Sequence, residues 1–316
     1  MKNLTIRETA AYLLQHDNYT ILTHRRPDGD TIGSAAGLCR ILRNLGKTAH
    51  VLENREVTPR YAPLLSGLTK AEAAENDTLI AVDVASPGML PEESQRYLGR
   101  IALRIDHHGT GASFAQHELV DSGAAACGEI IYDVLMELWQ DLDAETAQAL
   151  YVAASTDTGC FRFANTTDHS FLVAAACARA GAEIYRLNQQ LFDTNSLAKL
   201  RIQGWIVENL RLLSGGKLAI AAIPKAVEEA IGVTEDDMDN ISSFPRSVEG
   251  VCLSATLRQN GEHCTKISFR AVPGYDAAAI AAKFGGGGHK GAAGATVKLS
   301  LEETTAAVEK AMLELK

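Results

Sequence analysis

Apolar runs of strand length that end in aspartate or histidine set the frame for this chain. Tyr19–His24 reads YTILTH, Thr78–Val84 reads TLIAVDV, and Arg100–His108 reads RIALRIDHH. Helical patterns separate and follow them. One begins near Asp30 and is stopped by Gly46; others are expected over Ala124–Trp139, Ala144–Ala153 and Thr167–Ala180. Short apolar strands alternating with helices predict an α/β domain on a parallel sheet. Beyond about residue 210 the pattern changes. LAIAAIP, VEGVCLSATLRQ and HCTKISFRAV read as strands, with Asn260-Gly261 as the hairpin turn between the last two. A helix near Asp276–Phe284 leads into GGGGHKGAAGA, where a short helix is expected to start near His289. This predicts a smaller α+β domain with a mixed, largely antiparallel sheet. The divisions are 1–185, a helical linker over 186–209, and 210–316.

Composition removes several classes of function. Of the 316 residues, 46% are hydrophobic and 22% charged, as in ordinary soluble globular proteins. No apolar run approaches the roughly 18 residues of a membrane span, and the polar N-terminus does not read as a signal peptide. A cytoplasmic location is expected. The six cysteines show no C-x-x-C spacing, so they read as buried free thiols. A net charge of −9 suits a long polyanion poorly. Any nucleic-acid substrate should be short, or held by a small basic pocket.

Four segments carry the chemistry. THRRPDGD supplies His24, Asp28 and Asp30; AVDVAS supplies Asp83; DHHGT supplies Asp106, His107 and His108; STDTG supplies Asp157. The first three lie at the carboxyl ends of apolar strands, where open parallel sheets form their ligand sites. Carboxylates converging there must gain protons or bind cations. Imidazole mixed with carboxylate, and no thiolate, suits Mn²⁺, Mg²⁺, Fe²⁺ or Co²⁺ better than structural zinc. Four segments offer ligands for two ions bridged by one carboxylate, an arrangement that activates water for in-line attack on phosphorus. Taken singly, Asp30 and Asp83 read more simply as helix caps, and D-G-D as a turn. Two adjacent imidazoles at a strand end have no such packing logic.

The D-H-H of Asp106–His108, with H-x-x-x-D-x-D at His24–Asp30, resembles the DHH phosphoesterase superfamily. Gly285–Gly294 (GGGGHKGAAG) resembles the glycine-rich motif of the DHH-associated C-terminal domain. Thr158–Thr167 and Lys266–Arg270 look like segments of the nanoRNase/pAp phosphatase (NrnA-like) branch. The resemblance covers nearly the whole chain. It implies a DHH catalytic domain over 1–185, a substrate-binding domain over 210–316, and an active site in the cleft between them. It further implies that His24 and Asp28 hold one metal ion and that Asp30, His107 and Asp157 hold the other, with Asp83 bridging. His108 would contact the scissile phosphate, and Asp106 would orient the neighbouring histidine. Arg270, His289 and the backbone of Gly286, Gly287 and Gly288 would bind the other phosphate or terminal base. Manganese is the favoured ion, with magnesium or cobalt as alternatives. A homodimer is plausible for the family. Ala271 departs from the family pattern, which has serine there, so that hydroxyl contact is missing.

Without the resemblance these residues are more ambiguous. The glycine run reads as an anion-binding turn or as a linker, and it lacks Walker spacing. Arg270 reads equally as a solvent-facing strand residue. Arg25, Arg26 and Arg162 read as phosphate contacts or surface charges; Phe161 and Phe163 fit core packing better than base stacking. The expected activity is hydrolysis of two- to five-unit oligoribonucleotides to mononucleotides and removal of the 3′-phosphate of pAp. The alternatives are a cyclic di-AMP or pApA phosphodiesterase and, more remotely, a nucleotide-binding regulator without catalysis.

Overall fold

Thr5, Asp28, Asp143 and Thr167 each open a helix by accepting the backbone N–H three residues on. Such caps satisfy donors that a helix start leaves without partners. The structure, a computed structural model, describes residues 2–109, 113–139, 141–238 and 240–314. It divides into two units, Met1–Thr194 and Asn195–Lys316.

In the first unit the strands are β1 (Lys2–Asn3), β2 (Tyr19–Leu22), β3 (Ala49–Leu52), β4 (Thr69–Lys70), β5 (Thr78–Val82), β6 (Ile101–Asp106) and β7 (His117–Val120). The helices are α1 (Ile6–Gln15), α2 (Gly29–Asn44), α3 (Cys127–Glu137), α4 (Ala144–Asp157), α5 (Asp168–Arg179) and α6 (Ile184–Asn188). The strands form one sheet in the order β1-β7-β6-β5-β2-β3-β4, and every neighbouring pair is parallel. From β2 the chain runs outward through β3 and β4, then returns to the other side of β2 as β5. The order therefore reverses between β2 and β5, where doubly wound sheets leave a crevice at their carboxyl ends.

Both faces of this sheet are buried, as parallel sheets require. Tyr19, Ile21, Ile80, Val82, Leu103 and Ile105 enter the large core with the helices. Leu22, Leu79 and Ala81 enter a smaller core on the other face. Period-two alternation then puts Arg104 and Asp106 on the face opposite Leu103 and Ile105.

A glycine row on α2 sets how closely α4 approaches. A Cβ at Gly29 would lie 2.4 Å from Thr156 Oγ1, one at Gly33 2.3 Å from the Ala149 carbonyl, and one at Gly37 2.7 Å from Leu150 Cδ2. Gly128 on α3 meets Ala153 in the same way, at 2.4 Å. These close contacts bring the amino end of α2 beside the carboxyl end of α4.

The second unit contains α7 (Leu197–Asn209), β8 (Arg211–Leu213), β9 (Leu218–Ile223), α8 (Lys225–Ile231), β10 (Leu253–Gly261), β11 (Cys264–Ala271), α9 (Ala277–Lys283), β12 (Gly287–Gly288), β13 (Ala292–Val297) and α10 (Leu301–Leu313). Its sheet runs β12-β13-β11-β10-β9-β8, antiparallel except for β9 with β10. The β10–β11 hairpin turns at Glu262-His263. Asn260 falls in a register irregularity between Gln259 and Gly261, so the Asn-Gly dipeptide precedes the turn it was expected to form.

The short helix expected near His289 is absent. His289 and Ala292 exchange backbone hydrogen bonds (2.8 and 3.1 Å) around Lys290-Gly291, while Gly287 and Gly288 pair with Gly294 and Ala293. The run is a hairpin, because a strand partner satisfies its backbone where a helix start would leave donors free.

Candidate metal centre and anion-binding hairpin

The loop after β2, the turn after β5 and the end of β6 meet where the strand order reverses, and the end of α4 joins them. His24 Nε2 lies 3.8 Å from Asp28 Oδ1 and 3.6 Å from Asp83 Oδ2. His107 Nε2 lies 3.7 Å from Asp30 Oδ2, 3.5 Å from Asp83 Oδ1 and 3.6 Å from Asp157 Oδ2. His24, Asp28 and Asp83 thus form one group of potential ligands, and Asp30, His107 and Asp157 another, with ligand atoms within 4.8 Å of one another in each. Asp83 touches both groups through different oxygens.

The imidazoles are oriented for this. His24 Nδ1 bonds the Arg25 carbonyl (2.7 Å), and His107 Nδ1 bonds the Ala124 carbonyl (3.3 Å). A carbonyl only accepts, so Nδ1 carries a hydrogen and Nε2 is the nitrogen turned to the centre, able to ligate a cation once it carries no proton. His108 Nδ1 bonds Asp106 Oδ1 at 2.8 Å, and the His108 backbone N–H reaches the same oxygen at 3.2 Å.

Asp83 is buried, and its φ of +55° is unusual for a non-glycine residue. Thr31 Oγ1 donates to its Oδ2 at 2.5 Å, while its Oδ1 is buried with no hydrogen-bond partner. A buried carboxylate oxygen without a donor is costly unless a cation answers it. With two mixed imidazole–carboxylate groups around it, the donor set fits divalent ions that accept nitrogen and oxygen ligands.

The electrostatics agree. Burial opposes charge on His24, yet Asp28 and Asp83 raise its pKa to about 10. Burial, then His107 in opposition and Asp28 and Asp83 in support, leaves Asp157 raised to about 6. Burial, reinforced by Asp83, Asp157 and Asp28, pushes Asp30 well above the carboxylate range. Burial works against ionised Asp106, but His108 and Arg104 hold its pKa down. The hydrogen bond to Asp106 raises that of His108. The pocket gathers carboxylates and retains protons in place of cations.

The capping alternatives resolve individually. Asp28, not Asp30, caps α2, accepting from Thr31 N at 3.0 Å. Asp30 reaches across to the start of α3, accepting from Cys127 N (2.7 Å), Gly128 N (3.0 Å) and Ser34 Oγ (3.0 Å). Asp83 follows β5 in a turn and caps no helix among the described residues.

Several supporting groups escaped the sequence reading. Arg104 donates to Asp106 Oδ2 through Nε (3.1 Å) and Nη2, with Glu118 3.8 Å from its Nη1. Arginine two places before aspartate in a buried strand was the available signal. Asn54 holds the β2 loop through Thr23 Oγ1 and the His24 carbonyl, and Asn165 links the Ala125 and Asp157 carbonyls. After α4, Gly159, Cys160 and Phe161 all take positive φ (57°, 59° and 60°). Phe161 packs on Tyr151 and Phe171; Phe163 is half exposed over Gly159.

The remaining predicted residues gather within the second unit. Arg270 on β11 pairs in register with Ala292, beside the His289–Ala292 turn. It is half-buried, bonded to Ser243 Oγ (3.2 Å) and the Phe269 carbonyl (3.0 Å). Burial and the nearby Arg246 charge lower its pKa. A Cβ at Gly286 would strike the Gly294 carbonyl at 2.1 Å, and one at Gly288 the Ala292 carbonyl at 2.6 Å. Those two glycines serve strand pairing. Gly287 has nothing within 4 Å of such a Cβ, and His289 is exposed.

Comparison with known proteins agrees with this architecture. Residues 18–154 match the DHH family, N-terminal domain, and residues 215–314 match the DHHA1 domain. The chain is 35% identical to the bifunctional oligoribonuclease and PAP phosphatase NrnA of Thermus thermophilus, over 93% of this chain and 89% of that one. It is 28% identical to the Bacillus subtilis protein of the same name, over 94% and 93%. An exopolyphosphatase-related protein from Bacteroides fragilis shares the fold, with TM-score 0.85, 22% identity, and 98% and 96% coverage.

Proposed function

The chain belongs to the DHH family and carries a DHHA1 domain, and from that premise we propose that it hydrolyses short oligoribonucleotides to mononucleotides and removes the 3′-phosphate of pAp. The observation that carries the reading is the convergence of His24, Asp28, Asp30, Asp83, His107 and Asp157 around an unsatisfied buried carboxylate oxygen. Two divalent ions, manganese by preference, would be held by His24, Asp28 and Asp83 and by Asp30, His107 and Asp157, with Asp83 shared. When bound, such ions acidify water and offset charge on the phosphate.

The chain's own groups do the rest. Asp83 is held in place by Thr31, so its ligand oxygens need not reorganise. Asp106, kept ionised by His108 and Arg104, fixes the His108 Nδ1–H and leaves Nε2 free. The raised pKa of His108 suits it to donate a proton or hydrogen bond to a phosphate oxygen or leaving group. Arg270, His289 and the backbone at Gly287 supply contacts to a terminal phosphate or base. With a net charge of −9, affinity rests on such local contacts, not on a basic track, and this favours short substrates.

A cytoplasmic location and a homodimer belong to the same proposal. Six free cysteines suit a reducing compartment, and no helix among the described residues is long and apolar enough to cross a membrane. Light scattering tests the dimer. The activity test is a panel of two- to five-unit RNAs, a long single strand, pAp, pApA and cyclic di-AMP, with and without Mn²⁺. Metal-dependent turnover of pAp and the shortest RNAs is expected. Equal rates on dimers and long strands would remove the length preference. Binding without turnover would make the protein a regulator.

A further inference from the structure

We propose that the first unit carries a second, non-catalytic site for an organic phosphate of nucleoside monophosphate size. It is a cavity of about 770 Å³ lined by Arg40, Arg60, Tyr61, Glu145, Arg186 and Leu191, among others. Every lining residue falls within the first unit. The cavity is separate from the metal-ligand groups. Arg40 is ten residues beyond Asp30 on α2, a rise of about 15 Å at 1.5 Å per residue. Gln148, also in the lining, precedes Asp157 on α4 by nine residues, about 13 Å.

Charge selects an anion. Arg40, Arg60 and Arg186 face one lining carboxylate, Glu145, in a chain whose net charge is −9. Glu145 pairs with Arg40 Nη2 at 3.1 Å, and Arg186 is bonded to Glu183 and Gln148. Arg40 Nη1 donates to the Leu64 carbonyl at 3.4 Å, and its Nε is buried, so Arg40 is held in place as part of the wall. Arg60 is half-buried and makes no ion pair among the described residues. The Arg60 guanidinium, left without an ion pair in the cavity lining, matches phosphate oxygens, which arginine binds in bidentate fashion.

Size and lining select the rest of the ligand. The volume is in the range of small-molecule sites and far exceeds a bare oxyanion. Tyr61, Leu64, Val152, Leu187 and Leu191 offer apolar surface for a ring, and Gln148, Gln190 and Thr194 offer polar edges.

The backbone supplies an independent sign. Residues Gln189–Asp193 form a π-helical turn, closed by Thr194 N to the Gln189 carbonyl at 2.8 Å, and Gln190, Leu191 and Thr194 line the cavity. Such turns are rare and are found frequently at functional sites.

The test uses the full chain, metal-chelated, with AMP as probe. Calorimetry gives the affinity, and photolabelling with 8-azido-AMP followed by peptide mapping locates the site. Labelling within residues 59–66 or 186–194 is expected. Arg60→Ala should lose that labelling and weaken this AMP site at least tenfold. It should leave turnover of pAp unchanged and leave Tm without ligand equal or higher, since an unpaired cation has been removed. Inorganic phosphate should bind at least tenfold more weakly than AMP. Labels confined to the metal-ligand segments and the second unit would overturn the proposal. So would equal AMP affinity in wild type, Arg60→Ala and Arg186→Ala, and phosphate binding as tightly as AMP would overturn the assignment of an organic ligand.

Discussion

Replacing Arg104 by methionine removes a guanidinium that answers two buried carboxylates, Asp106 and Glu118. Arg104 is 3% exposed, Asp106 0% and Glu118 6%, and the Phe114 ring lies 5.4 Å from the guanidinium carbon. Taking one partner from a buried ion pair costs about 3–5 kcal/mol, because the remaining charge stays buried without compensation. In a unit of this size each kcal/mol lowers Tm by about 2–4 °C, so a fall of about 6–20 °C is expected. Asp106 can limit the loss by taking up a proton. That route weakens its hold on the His108 Nδ1–H, so kcat should fall about 10–100-fold, the usual effect of losing a group that orients an active-site histidine. Scanning fluorimetry and pAp hydrolysis at saturating Mn²⁺ measure the two effects. Arg104→Lys, which restores charge without the two-pronged contact, should recover part of the Tm and little of kcat. A Tm within about 2 °C of wild type together with kcat within twofold would refute the Glu118–Arg104–Asp106–His108 chain of support.

Asp83→Asn keeps the shape but removes the charge shared by both ligand groups. Several kcal/mol of transition-state stabilisation correspond to about 10³ in kcat, and calorimetry should show fewer or weaker Mn²⁺ sites; unchanged metal stoichiometry and turnover would refute the bridging role. Gly33→Ala places a Cβ 2.3 Å from the Ala149 carbonyl, so overpacking should cost about 1–3 kcal/mol. Because the same helices carry Asp30 and Asp157, metal affinity should fall as well, and an unaltered Tm would contradict the close α2–α4 approach. Chelator-treated protein should lose stability as pH rises. The His24 contribution, full below its ordinary 6.5, is lost as pH climbs through about 10. Ionisation of buried Asp157 near pH 6 adds a cost in the same direction. Added divalent ions should reverse the trend, because ligands must shed protons to bind them. A flat or rising Tm from pH 6.5 to 10 in chelator would count against the acidic cluster.

Local chemistry makes much of this protein legible in its sequence. Strand runs ending in Asp83 and in Asp106–His108 carry their periodicity in consecutive residues, and a parallel sheet puts all such ends on one edge. Tertiary structure alone decided other points. Glycine spacing on α2 does not reveal that α4 is the element pressed against it. Arg104 reads as an ordinary strand residue until β7 brings Glu118 beside it. The Gly285–Gly288 run reads as an anion-binding turn or a linker ahead of a short helix near His289; it is a hairpin instead, because only β13 decides where its backbone hydrogen bonds go. Asp30 appeared free to cap the helix it begins, yet its oxygens serve α3, 97 and 98 residues away. The dividing line is range: patterning within a few residues determines which elements form, whereas burial of charge and closeness of packing depend on neighbours that the chain supplies only when folded.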